Sequence, residues 1–166
     1  MQRFLQICLM LVFPIIAAPA FALPAPMSAA QLLEKSTFVG VVRVQSVTCT
    51  AVTPSKEAGD ELQHYLAKLE VVEVKKGDVK PGDTLLVTWR TIPRGLVGGN
   101  WAVNYYPGEE VMTHLVKGTD DATYKSTWWN AKGQDIKEPP STKLPTQPGE
   151  TFVPPKVPTP GGETPL

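Results

Sequence analysis

Residues 65–90 read YLAKLEVVEVKKGDVKPGDTLLVTWR, and the fold turns on them. Tyr65, Ala67, Leu69 and Val71 alternate with polar or mixed neighbours, which is the period of a half-buried strand. The strand ends at Lys76-Gly77. A double turn follows through Lys80-Pro81-Gly82-Asp83, and Pro81-Gly82 suits the central positions of a type II turn. Residues 84–90 then resume as a strand, with Leu85, Val87 and Trp89 on one side and Leu86 and Thr88 on the other.

The same texture continues on both sides of this stretch. Residues 38–47 are a valine-rich strand in which Gly40 marks a bulge or a close approach of backbone. Residues 52–60, with Pro54, Ser55 and Gly59 among charges, read as a solvated loop. A long connection over residues 91–110 carries Pro93, Gly95, Gly98-Gly99 and Pro107-Gly108, with Trp101, Tyr105 and Tyr106 between them. Residues 111–116 form a further strand. Residues 124–129, a turn at Lys132-Gly133 and a last strand near Ile136 complete the set. Five or six strands with almost no helical periodicity predict an all-β domain over residues 36–137, a small, mainly antiparallel, closed or nearly closed barrel.

The flanks differ in composition. Residues 1–22 have an apolar run interrupted by Pro14 and Pro19 and end in Ala20-Phe21-Ala22, the small-x-small pattern of a signal peptide cleaved on export. The expected mature chain starts near Leu23, is periplasmic or secreted, and has no membrane-inserted segment. Residues 23–35 form a lead-in and a short helix, because Ser28 and Gln31 have capping-box spacing ahead of Leu32 and Leu33. Residues 138–166 hold proline every few positions, including Pro139-Pro140, Pro145, Pro148 and Pro154-Pro155. They are expected to be an extended, disordered tail.

Charge and cysteine content narrow the function. With 16 basic and 16 acidic residues the chain has no basic stripe for nucleic acid. Of its two cysteines, Cys8 lies in the leader, so Cys49 is left alone and no internal disulfide forms. A buried thiol, an intermolecular bridge and a ligand are its open roles.

The sequences Phe38-Val39-Gly40-Val41-Val42, Val71-Val72-Glu73-Val74-Lys75-Lys76-Gly77, Pro81-Gly82-Asp83 and Pro107-Gly108-Glu109, in that order, carry a family likeness. The chain resembles exported bacterial domains related to the tissue inhibitors of metalloproteinases and the netrin-like modules, over residues 36–136. That resemblance implies an OB-type barrel. It does not carry protease inhibition, because those inhibitors bind zinc through an N-terminal cysteine, whereas the mature chain here begins near Leu23.

Few residues suit catalysis. Cys49, His64, His114 and Met112 are soft enough for a copper site, but their spacing is unlike a compact metal loop, so neither a metal nor a cofactor is expected. Cys49 lies in an alternating stretch with nothing to lower its pKa, and Glu109-Glu110 after a Pro-Gly turn read as solvated charges. Aromatics are the more informative signal. Trp101, Tyr105 and Tyr106 in the long connection, the adjacent Trp128 and Trp129, of which a strand must turn one outward, and Phe152 in the tail are the candidate contact residues. The expected function is an exported, non-enzymatic accessory module that attaches to an envelope or extracellular protein. Its alternatives are a regulator or inhibitor of a secreted hydrolase and a metal or small-ligand carrier.

Overall fold

The computed structural model describes residues 24–54, 61–91 and 103–155. Helix α1 (Ala29–Lys35) leads into strands β1 (Phe38–Pro54), β2 (Glu61–Lys76), β3 (Thr84–Thr91), β4 (Glu110–Lys117), β5 (Tyr124–Ser126), β6 (Lys132–Lys137) and β7 (Thr151–Phe152). Five of them close a ring in the order β1, β2, β3, β5, β4 and back to β1, while β6 pairs with β4 and β7 with β1. This is an OB-like barrel. It is mixed, since β3 and β5 run parallel and meet in one bridge, Val87 opposite Tyr124.

Period-2 alternation fills the barrel. Tyr65, Ala67, Leu69 and Val71 from β2, Leu85 and Val87 from β3, and Val111 and Leu115 from β4 meet Phe38, Val42, Val44 and Val47 of β1 in one core. Burying a valine or leucine side chain fully is worth about 1.5–3 kcal/mol, so these positions dominate stability. Within the ring β1 serves two neighbours, pairing β4 through residues 38–43 and β2 along nearly its whole length, and it pairs with β7 as well, at Val47 and Thr48. Four register shifts bend it around the ring. Gly40 lies at one of them, and any Cβ there would collide with the carbonyl oxygen of Glu73.

Helix α1 opens on the expected capping box, with Gln31 N–H donating to Ser28 Oγ at 3.3 Å and Ser28 N–H to Gln31 Oε1 at 2.9 Å. It buries Leu32 and leaves Leu33 exposed. Lys76 Nζ donates to the carbonyls of Leu33 and Glu34, placing a cation at the helix C-terminus, where the dipole favours it. Among the described residues no helix is long and apolar enough to cross a membrane.

Three turns share one construction. In Lys80-Pro81-Gly82-Asp83, Tyr106-Pro107-Gly108-Glu109 and Gln147-Pro148-Gly149-Glu150 the acidic residue's N–H donates to the carbonyl of the first residue, and its carboxylate accepts that residue's N–H. Each glycine has φ between 85 and 91°, the conformation type II turns reserve for glycine. Each glycine N–H also donates to a carbonyl in an older strand, that of Val71, Val44 or Cys49. The same strand residue's N–H donates back to the acidic residue's carbonyl. The turn thus docks as a two-bond bridge, and a new strand starts at the next residue, Thr84, Glu110 or Thr151.

Two expectations are corrected here. The turn near the end of the domain falls at residues 127–131, ahead of Lys132-Gly133, which begin β6. The tail is not structureless from residue 138. Leu144 packs against the core, Pro145 is buried and its carbonyl accepts the Tyr65 hydroxyl at 3.1 Å, and β7 pairs with Val47 and Thr48. A proline-rich chain cannot build a core of its own, but it can cover an existing one at low entropic cost. The described part of the tail does this. Residues 1–23, 55–60, 92–102 and 156–166 lie outside the described residues, and with them the leader, part of the expected loop and part of the long connection.

Candidate functional site

A cleft of about 880 Å³ opens where the barrel seam is thinnest. Beyond the single Val87–Tyr124 bridge, β3 and β5 part company, and residues 88–90 and 125–127 become facing walls. Trp89, Arg90 and His64 line one side; Lys125, Trp128 and Trp129 line the other. The volume lies within the range of small-ligand and peptide-side-chain pockets.

Trp89 follows Leu85 and Val87 on the inner side of β3 but sits at the barrel's mouth, half-buried. Its ring stacks on Tyr65 with centroids 5.2 Å apart and meets Tyr105 edge-on at 5.6 Å. Its Nε1–H donates to Asn104 Oδ1 at 3.1 Å, so the ring is held rigidly. Trp128 and Trp129 lie in the β5–β6 turn, outside any strand, and the lead-in segment crosses them. Trp128 Nε1–H donates to the carbonyl of Ala25 at 3.2 Å and Trp129 Nε1–H to that of Pro24 at 3.1 Å. Asn130 of the same turn brackets the backbone of Met27, accepting its N–H at 3.2 Å and donating to its carbonyl at 2.9 Å.

The other expected contact residues are elsewhere. Tyr105 is fully buried, with its hydroxyl 2.6 Å from Thr113 Oγ1, so it is a core residue and offers no contact surface. Burial pushes its phenol up to about 12, so it stays protonated. Tyr106 is half-buried with the Lys132 ammonium 5.3 Å from its ring centroid. Phe152, in β7, lines a separate cleft of about 270 Å³ together with Pro107, Pro140 and Val153. Trp101 lies outside the described residues.

Glu109 corrects the expectation of a solvated acid pair. It is fully buried, while Glu110 forms a partly exposed ion pair with Arg43 at 3.0 Å. Glu109 Oε2 meets Lys132 Nζ at 2.6 Å and its Oε1 accepts the Tyr106 N–H at 2.9 Å. Burial raises the Glu109 pKa despite the pull of Lys132. The pair braces the turn at Pro107-Gly108.

Cys49 is fully buried on the inner face of β1, and burial pushes its thiol pKa up, which suppresses thiolate chemistry. His64 Nε2 lies 2.9 Å from Thr53 Oγ1, and His114 Nδ1 3.1 Å from the Ala131 carbonyl. Among the described residues no three His, Cys, Asp or Glu side chains gather as metal ligands. Trp89, Arg90 and Lys125 are site residues that sequence reasoning did not single out. The available signal was an aromatic at the end of the inner alternation of β3, followed at once by a cation.

Compared with family models, curated proteins and solved structures, the chain matches none.

Proposed function

We propose that the protein is an exported, non-enzymatic accessory module that binds another envelope or extracellular protein, using the cleft at the β3–β5 seam as its contact site. The observation that carries this reading is the convergence of Trp89, Trp128 and Trp129 on one open cleft at the mouth of the barrel. Tryptophan dominates interface hot spots because one rigid ring desolvates a large area at small entropic cost. Strand faces and loops at a barrel mouth are where OB-type scaffolds hold their ligands. Export is read from residues 1–22, and the proline-rich tail of residues 138–166, whose part beyond Pro155 lies outside the described residues, is a second point of attachment.

Affinity capture from the native cells tests the reading. The full chain is expected to retain a partner that Trp129→Ala loses, with a chain ending at Pro155 retaining it more weakly. Equal capture by all three, or none by the full chain, removes the reading.

A further inference from the structure

The chemistry of the cleft specifies its partner further. Arg90 and Lys125 are both exposed and line it, and among the described residues no acidic side chain does. Among the described residues neither makes an ion pair, whereas Arg43 is held by Glu70 and Glu110, and Lys132 by Glu109 and Asp135. On a chain with equal numbers of acidic and basic residues, a cleft whose described lining holds two cations and no acid is a local field that favours a negative ligand.

The rim also shows what kind of molecule fits beside those charges. The turn carrying Trp128, Trp129 and Asn130 already holds an extended, proline-containing polypeptide, the chain's own Pro24-Ala25-Pro26-Met27. It does so through backbone groups alone: two indole N–H donors on successive carbonyls, and a side-chain amide on the N–H and carbonyl of Met27. Indole donors on carbonyls beside proline are the means by which aromatic grooves read polyproline II segments. Pro24 itself lines one edge of the cleft, so the free part, from Trp89 to Arg90 and Lys125, continues a surface that already binds peptide.

We infer that the cleft takes an extended acidic segment of the partner polypeptide, its carboxylates meeting Arg90 and Lys125 and its proline or other apolar side chains lying on Trp89. This inference rests on the proposed binding role of the cleft and names the chemistry of what binds there. A glutamate-proline repeat is the simplest segment with both properties.

The test uses the full chain expressed in its native cells and three fluorescent probes: a ten-residue glutamate-proline repeat, the same repeat with glutamine for glutamate, and an oligogalacturonate of similar charge. Fluorescence anisotropy is expected to show the acidic peptide binding about tenfold tighter than the neutral one, as two partly screened charge pairs imply. Arg90→Gln and Lys125→Gln should each weaken only the acidic peptide, by about threefold, without moving the thermal midpoint because both side chains are exposed. Raising the salt should erase the difference. Equal binding of the acidic and neutral peptides overturns the inference and leaves the cleft's binding role standing. Tighter binding of the oligogalacturonate than of the acidic peptide overturns the choice of polypeptide. If neither peptide binds while native capture still depends on Trp129, the inference falls and the proposed function stands.

Discussion

The turns at Pro81-Gly82-Asp83 and Pro107-Gly108-Glu109 are alike in every local respect and opposite in their surroundings. Both glycines have φ near +90°, both acids close the turn through their own carboxylate, and both dock on an older strand by the same pair of backbone bonds. Asp83 is exposed, and nothing lies within 4 Å of a Cβ built on Gly82. Glu109 is fully buried against Lys132, and a Cβ on Gly108 would stand 2.9 Å from Pro140 Cδ. The turn is written in four residues. Whether its acid faces water or an ammonium is decided by chain far away in sequence, at Lys132 and in the tail.

Removing the distant partner should break the comparison most. Lys132→Met leaves Glu109 buried without its cation, a loss of about 3 kcal/mol at neutral pH by analogy with other broken buried pairs. Because burial already raises the Glu109 pKa, the stability tied to its neutral form is present below the ordinary carboxylate range and is lost as pH rises through the raised value. The penalty of Lys132→Met should therefore shrink in acid, where Glu109 is protonated. Urea denaturation at pH 5 and pH 8 checks this; the same penalty at both would mean that Glu109 ionisation is irrelevant.

The glycines test the comparison sterically. Gly108→Ala is expected to cost about 2–3 kcal/mol, combining a disfavoured positive φ with close contacts to the rings of Pro140 and Pro154. Gly82→Ala meets only the conformational cost, about 1 kcal/mol. Equal thermal shifts for the two variants would mean that the tail does not press on the second turn. The smallest effect belongs to Asp83→Ala, which removes one exposed hydrogen bond worth about 0.5 kcal/mol. Its urea midpoint should lie close to that of the parent chain.

The third copy of this turn lies in the proline-rich tail. Gln147-Pro148-Gly149-Glu150 precedes Thr151-Phe152-Val153 just as the other two precede β3 and β4, so the signal for β7 was present. The density of prolines around it hid that signal, because composition speaks for a segment's inability to form its own core and says nothing of a neighbour's. The candidate site divides in the same way. Trp128 and Trp129 were legible as a pair needing a partner, and the lead-in supplies it through Pro24 and Ala25. The alternation of β3 places Trp89 on one side with Leu85 and Val87, without saying which side is inner; the ring packs against the core and also lines the cleft. Tyr105 sits in a glycine-rich connection by sequence yet belongs to the core, since residues 103 and 105 extend the barrel's inner alternation before β4 begins.

By itself the sequence determined what neighbouring residues settle among themselves: the strand alternation of β2 and β3, the Pro-Gly turns, the capping box of α1 and the bulge at Gly40. Each depends on backbone dihedrals and side-chain periods within a few residues. Tertiary structure alone decided the parallel closure of β3 on β5, the burial of Glu109, the seating of the tail on β1 and the cleft at the seam. These depend on which surfaces meet once the ring closes, and solvent exposure and charge pairing are fixed only by that meeting.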